Sequence, residues 1–295
     1  MFQRNFFSYA AILMGAMTLP ITVAADDHPR GDNSNCRSLP DHAALHAALS
    51  AALTDEASAN SPNPSGLSNQ MWATIVDRDG IVCAVAFSGL NRGAQWPGSR
   101  VISAQKANTA NAFSLDKSSS SSGHGQANGL ALSTANLFTA VQPGGSLFGL
   151  QESNPVDTGV AYSGPSSNYG QANDPMVGDK IGGVNVFGGG LALYTSGQVI
   201  VGGVGVSGDT SCTDHDIAWR VRSKLGLDHL LGVSGVSGDS SRPDNILYDI
   251  VANADGTGGT GQSPGGQGGV GHSPSGFGHP KCLNTPNEKA LPAVK

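Results

Sequence analysis

The first candidate for chemistry is a glycine pattern in the second half of the chain. Residues 203–208 match G-x-G-x-x-G, which holds a dinucleotide pyrophosphate where a parallel strand leads into a helix. Here the apolar runs 191–194 and 198–206 flank a Thr-Ser-Gly turn, which predicts an antiparallel hairpin. Asp228 lies at the spacing of the acidic partner, but it follows a predicted helix instead of ending a strand. The glycines therefore favour close packing against a neighbouring element or a flat ligand.

Histidine and acidic side chains offer two further kinds of site. His42 and His46 stand four residues apart on a predicted helix, where two imidazoles can bind one metal ion or simply flank an apolar stripe. The run 214–216 (Asp-His-Asp) suits acid–base work, although helix starts favour acidic residues in any case. His272 and His279 lie in a glycine-rich tail and are opportunistic metal ligands.

The elements that must position these residues follow a simple order. Periodicity and turn residues predict helices at 39–57, 99–113, 129–141 and 216–225, with Ser99 as one N-cap and Thr213 or Asp214 as another. Predicted strands lie at 71–77, 81–88, 191–194 and 198–206, in two hairpins. Helix, hairpin, helices, hairpin and helix together predict an α+β domain with helices packed on an antiparallel sheet.

The N-terminal residues and the charge narrow the class of protein. Residues 1–25 have a basic start, a short apolar run and small residues before Asp26, which predicts a secretory signal peptide and a periplasmic or secreted protein. The apolar run is too short to span a membrane. The net charge is -6 and no Lys/Arg cluster follows the leader, so a nucleic-acid partner is not expected.

Four blocks of sequence resemble the GlcG/HbpS haem-binding family. They are WATIVDRDGIVCAVAFSG (72–89), SRVISAQKANTANAF (99–113), PGGSLFG (143–149) with FGGGLALY (187–194), and GQVIVGGVGVSGDTSCTDHDIA (197–218). The resemblance implies a profilin-like antiparallel sheet of about five strands flanked by helices, in a homo-oligomer. It assigns residues 36–231 to the domain and 232–295 to a glycine-rich extension. Segments 118–129 and 152–183 look longer than usual and can cover or rebuild a ligand site.

The resemblance also implies a ligand. We expect haem, with a corrinoid as a remote alternative, held for capture or sensing rather than catalysis. Thr109 is the implied iron ligand, Lys106 the implied propionate partner, and Gly188–Gly190 the turn that lets the macrocycle approach. His42 or His46 is the rival ligand, and Thr109 bonding its own helix is the alternative without a ligand.

Two other functions stay open beside haem binding. One is an accessory protein or enzyme that acts on a small oxidised metabolite through Asp214, His215 and Asp216. The other is an interaction protein that has kept the fold and lost the ligand.

The four cysteines predict two disulfide bonds in an exported chain. Three pairings are possible, and the cysteine spacing alone does not choose among them. From the order of the elements we predict Cys36–Cys83 and Cys212–Cys282, because the second bond would tie the glycine-rich tail to the domain. Cys83 as a small buried apolar residue is the alternative. We also expect at least a dimer at micromolar concentration.

Overall fold

Four strands form the sheet at the centre of the fold. The computed structural model describes residues 35–120, 127–254, 258 and 271–295, so the predicted signal peptide lies outside the described residues. The strands are β1 (Trp72–Asp77), β2 (Val82–Phe87), β3 (Gly190–Tyr194) and β4 (Ile200–Ser207), in the antiparallel order β2-β1-β4-β3. The helices are α1 (His42–Ala59), α2 (Ser99–Phe113), the single turn α3 (Thr158–Ala161) and α4 (Ser211–Lys224). The predicted α+β class is confirmed, and the described sheet has four strands rather than about five.

Both predicted hairpins are present and meet in the middle of the sheet. In the first, Trp72 lies opposite Phe87, and the turn between the strands places Gly80 at a φ of +81°. The Asp77 carboxylate fixes this turn by accepting hydrogen bonds from the Asp79 and Ile81 amides at 2.9 and 2.8 Å. The second hairpin pairs β3 with β4, and β4 also pairs with β1.

The helices cover both faces of the sheet. Helix α2 packs against β4, β1 and β3, whereas α1 and α4 pack against each other and share the main core with the opposite side chains of the strands. Gly203 and Gly205 of β4 lie under α2, where a Cβ atom would overlap the Ala107 and Ser103 carbonyls. The glycine pattern therefore serves close packing of a helix on a strand.

Three predicted helix features differ from the structure. Helix α4 begins at Ser211 after Thr210, so Thr213 and Asp214 lie inside its first turn instead of capping it. Helix α2 is preceded by Gly98, and Ser99 is its first helical residue rather than its N-cap. Residues 129–141 contain two short 3₁₀ turns, not an α-helix. A Ser133–Asn136 capping box holds the first of these turns, so the local side-chain bonds compete with helix extension.

Both predicted disulfide bonds are present. Cys36–Cys83 joins the segment before α1 to β2, and Cys212–Cys282 joins the first turn of α4 to the C-terminal segment. That segment is fixed further along, because Leu291 and Val294 belong to the main core.

The 152–183 segment covers the edge of the sheet beside β2. Asp174 pairs with the buried Arg100 of α2, whose Nε donates to Asp174 Oδ2 at 2.8 Å. Met176 and Ile181 join a second apolar cluster with side chains of β2 and α2. Among the described residues, no helix combines the length and apolarity that crossing a membrane requires.

Candidate functional site

Lys106, the expected propionate partner, lies in the interior of the domain. Its side chain is fully buried between α2 and α4. Nζ donates to Asp214 Oδ2 at 2.7 Å and to the Val206 carbonyl at 3.0 Å, and lies 4.5 Å from the centre of the Phe187 ring. The ammonium group thus has a carboxylate partner within its own chain.

The electrostatics of this pair reflect its burial. Burial raises the pKa of Asp214 to about 6, although the neighbouring ammonium of Lys106 opposes the shift. Burial lowers the pKa of Lys106 for the same reason, and Asp214 opposes that shift. Asp214 Oδ1 also accepts the Asp209 amide at 2.8 Å, so the pair ties the start of α4 to α2. Removing one partner of such a buried pair strongly destabilises a protein, because the other charge stays buried without compensation.

Thr109, the expected iron ligand, is equally buried. Its hydroxyl donates to the Gln105 carbonyl at 2.7 Å, one turn back in α2, and accepts the Asn185 amide at 2.9 Å. An iron atom at this oxygen would have to replace the hydrogen bond from Asn185. In this structure the hydroxyl joins α2 to the irregular segment before β3.

Gly188–Gly190, the expected approach for the macrocycle, is filled by the protein itself. A Cβ at Gly188 would overlap the Ser211 carbonyl, one at Gly189 the Val206 carbonyl, and one at Gly190 the Lys106 carbonyl. We call Lys106, Thr109, Asp214 and Gly188–Gly190 the buried centre. Its small residues let two helices meet the sheet closely.

The acidic run at the start of α4 is also buried. His215 Nε2 lies 3.1 Å from the Asn245 side-chain oxygen, and Asp216 accepts from Arg220 Nε at 2.8 Å. Asp214, His215 and Asp216 are each at most 1 % exposed, so none of them is open to a substrate.

His42 has different surroundings, because it begins α1 at the surface. Asp41 caps the helix by accepting the Ala44 amide at 2.9 Å, and the half-buried His42 ring then reaches across to β2. Its Nδ1 lies 2.8 Å from the Val85 carbonyl oxygen. A carbonyl oxygen only accepts, so Nδ1 of the neutral ring carries the proton and Nε2 keeps its lone pair. Hydrogen bonds of this kind orient metal-binding histidines.

A pocket of about 300 Å³ opens beside this ring, and we call it the His42 pocket. Its lining residues are Asp41, His42, Ala43, Cys83, Ala84, Val85, Ala172 and Val177. The walls are mostly apolar and come from α1, β2 and the 152–183 segment. The Cys36–Cys83 disulfide joins the chain before α1 to the β2 wall, which holds the start of the helix over the strand.

His46 lies one turn along α1 with an exposed side chain, and its ring centre is 6.1 Å from that of His42. The two rings are close enough to approach one free metal ion. Both rings leave the same side of one helix.

Sequence reasoning missed the groups that complete the His42 pocket. The Val85 carbonyl has no signature in the sequence, and Ala172 and Val177 lie far from His42 along the chain. The unusual length of 152–183 was the available signal that this segment can rebuild a ligand site.

Comparisons with known proteins give one family and several structures. The family model described as haem-degrading protein HbpS-like matches residues 43–223, more than half of the chain. A complex of PduOC with haem is 22% identical with a TM-score of 0.38, covering 63% of this chain and 94% of its own. Protein ORFY from Klebsiella pneumoniae is 23% identical with a TM-score of 0.36, covering 63% and 90%.

A double mutant of HbpS from Streptomyces reticuli is a further similar structure. It is 15% identical with a TM-score of 0.37, and the alignment covers 74% of this chain and 99% of that one. Curated proteins give no match.

Proposed function

Because this chain belongs to the HbpS-like family of haem-degrading proteins, we propose that it binds haem and that the imidazole of His42 would hold the iron. The observation that carries the proposal is the His42 ring itself. Its Nδ1 is held by the Val85 carbonyl, whereas Nε2 has no hydrogen-bond partner among the described residues. An oriented imidazole with a free nitrogen is the commonest protein ligand of haem iron.

The pocket around the ring suits a flat apolar ligand. Alanine and valine side chains form most of its wall, and two of the lining residues, Asp41 and Ala43, are exposed. Its volume of about 300 Å³ is at the lower end of the roughly 300–1,000 Å³ typical of ligand pockets. Haem bound there keeps part of its surface in water. Such a site supports reversible capture and transfer of haem better than chemistry in a closed chamber.

Thr109 is the rival ligand in this proposal. Its hydroxyl is buried and takes part in two hydrogen bonds, so coordination there would need α2 to separate from the segment that carries Asn185. The ammonium group of Lys106 already pairs with the carboxylate of Asp214, so it does not require a haem propionate as its charge partner. The corrinoid alternative has nothing further in its favour.

Two disulfide bonds support a location outside the reducing cytosol. We therefore propose an exported haem-capturing protein, acting in the periplasm or outside the cell. A second copy of the chain would shield the haem surface that the shallow pocket leaves exposed, which agrees with the expected homo-oligomer.

Titration of the full chain with hemin tests the proposal. The wild-type protein should give a saturable Soret shift. His42→Ala should weaken binding by at least about tenfold, the loss that even an outer partner of a metal ligand causes, and should change the Soret band. His46→Ala is the matched control on the same helix and should bind as the wild type does. A flat wild-type titration refutes haem binding, and equal titration of both variants refutes His42 as the ligand.

Haem degradation is a second candidate, favoured by the description of the family. It needs oxygen and a reductant in addition to bound haem. Loss of the Soret band of the loaded protein on adding ascorbate in air, but not without oxygen, would support degradation. A stable band under both conditions supports capture alone.

A further inference from the structure

A second group of metal-binding side chains lies where the C-terminal segment meets α4. Cys212, His279 and Cys282 each offer a ligand atom, and these atoms lie within 4.8 Å of one another. The two cysteines form a disulfide bond in this structure. We propose that reduction of the Cys212–Cys282 bond converts this group into a zinc site.

The three donors match the chemistry of zinc. Two thiolates and one imidazole belong to the ligand set that tetrahedral zinc prefers, and His279 and Cys282 have the two-residue spacing common in such sites. The third ligand comes from the first turn of a helix. A fourth position is open to water or to the Ser211 hydroxyl, which lies 2.9 Å from His279 Nε2 and 3.5 Å from Cys282 Sγ.

His279 is held in position before any metal binds. The residue is 1 % exposed, and its ring centre lies 4.9 Å from that of Phe138. Nδ1 donates to the Pro280 carbonyl at 2.6 Å, which leaves the lone pair on Nε2, the nitrogen beside Ser211. A backbone carbonyl that fixes the tautomer in this way is typical of zinc-binding histidines.

The start of α4 holds Cys282 beside Cys212. The Cys212 amide, in the first turn of this 14-residue helix, lies 3.2 Å from Cys282 Sγ and donates to it. Ala135 and Ile246 pack around Cys212, and two thiolates with Zn²⁺ add no net charge to this apolar region.

The conversion is balanced by an external dithiol. The dithiol gives two electrons and two protons to the S–S bond, which breaks into two thiols, while the dithiol itself becomes a disulfide. Zn²⁺ then replaces the two thiol protons, which pass to solvent. The site is therefore closed to zinc in the oxidised protein and open in the reduced one.

The second cysteine pair provides the comparison needed for a test. Cys36, Cys83 and Asp77 also form a close group, but with a carboxylate in place of an imidazole. In a Cys36→Ser/Cys83→Ser background the full chain keeps only the Cys212–Cys282 pair. Zn²⁺ binding by this protein, oxidised and reduced, is measured by competition with a chromophoric chelator in the absence of oxygen.

We expect one Zn²⁺ per reduced chain and none at this site in the oxidised chain. His279→Ala should weaken binding by at least about tenfold. His272→Ala is the control, because His272 lies in the same tail with an exposed side chain. With Co²⁺ as the probe, a thiolate charge-transfer band should appear in the reduced protein and disappear in Cys212→Ser.

Equal zinc binding by the oxidised and reduced proteins overturns the proposal. So does equal binding by the two histidine variants, the result expected if a reduced and unfolded chain captured zinc through its thiols alone. If the Cys36→Ser/Cys83→Ser background does not fold, the two histidine variants are compared in the otherwise unchanged reduced chain, and the same criterion applies.

Discussion

The buried centre and the His42 pocket differ in whether their polar groups already have partners. Lys106 and Thr109 are fully buried, and each is bonded to groups of its own chain. His42 is half-buried; its Nδ1 is held by the Val85 carbonyl, and its Nε2 has no hydrogen-bond partner within the part of the chain that the structure describes. The residues that carry the family pattern thus hold the helices to the sheet, whereas His42, the iron ligand that we propose, stands outside that pattern. In this chain the residues of the family motif therefore indicate how the helices pack on the sheet, and they are weaker evidence of where a ligand binds.

The largest expected difference concerns stability at the buried centre. Lys106→Ala leaves Asp214 buried without its charge partner, which should cost about 3–5 kcal/mol of unfolding free energy. Lys224→Ala is the matched control, because Lys224 pairs with Asp55 at 2.6 Å on the surface. Its loss should cost at most about 1 kcal/mol. Urea unfolding measures both, and equal costs would contradict the structural role of Lys106.

The parts of the fold that depend on neighbouring residues were predictable. The Asp-Gly turn and the flanking β-rich runs indicated the first hairpin, and helical spacing with strong helix formers indicated α1. The start of α4 was misplaced because Thr210 precedes it without a side-chain cap, so the expected capping pattern pointed further along the chain. The pairing of β1 with β4 joins distant segments and had no local signal.

The site depended even more on distant contacts. Lys106 and Asp214 are 108 positions apart, and nothing near either residue indicates that they meet. A free lysine and a lysine with a buried partner look alike in the sequence. His42 was recognised as a rival ligand by its residue type, but the orientation of its ring and the pocket beside it depend on Val85 and the 152–183 segment.

The two disulfide bonds should differ in their effect on hemin binding. Both double variants, Cys36→Ala/Cys83→Ala and Cys212→Ala/Cys282→Ala, should lose about 2–4 kcal/mol of unfolding free energy. Only the first should also weaken hemin binding, because Cys83 lines the His42 pocket and its bond holds the start of α1 over β2. Hemin titration alongside thermal unfolding measures both effects. Equal hemin affinity of the two variants would show that the disulfide does not hold the pocket.

The third prediction concerns pH and the buried start of α4. Burial lowers the pKa of His215 to about 4 from its ordinary 6.5, although the Asp244 carboxylate partly opposes the shift. Between these values the unfolded chain binds a proton that the folded chain does not, so unfolding free energy falls as pH falls. The loss from pH 7 to pH 5 should be about 2 kcal/mol smaller in His215→Gln than in the wild type.

Urea unfolding at the two pH values tests this. Asp214 and Asp216, whose pKa values burial raises to about 6, shift stability in the opposite direction but do so in both proteins. The comparison between variant and wild type therefore isolates the histidine. Parallel pH profiles would mean that His215 takes up its proton without unfolding.

The smallest expected effect decides between the two candidate iron ligands. Thr109→Val removes the acceptor of the buried Asn185 amide, at a cost of about 1–2 kcal/mol for one unpaired donor. Thr109→Ser keeps the hydroxyl and is the control. If the hydroxyl only joins α2 to its neighbour, both variants keep the wild-type Soret band on hemin titration and only the valine variant loses stability. A Soret band that changes in Thr109→Val but not in Thr109→Ser would instead assign the iron to Thr109 and require the buried centre to open.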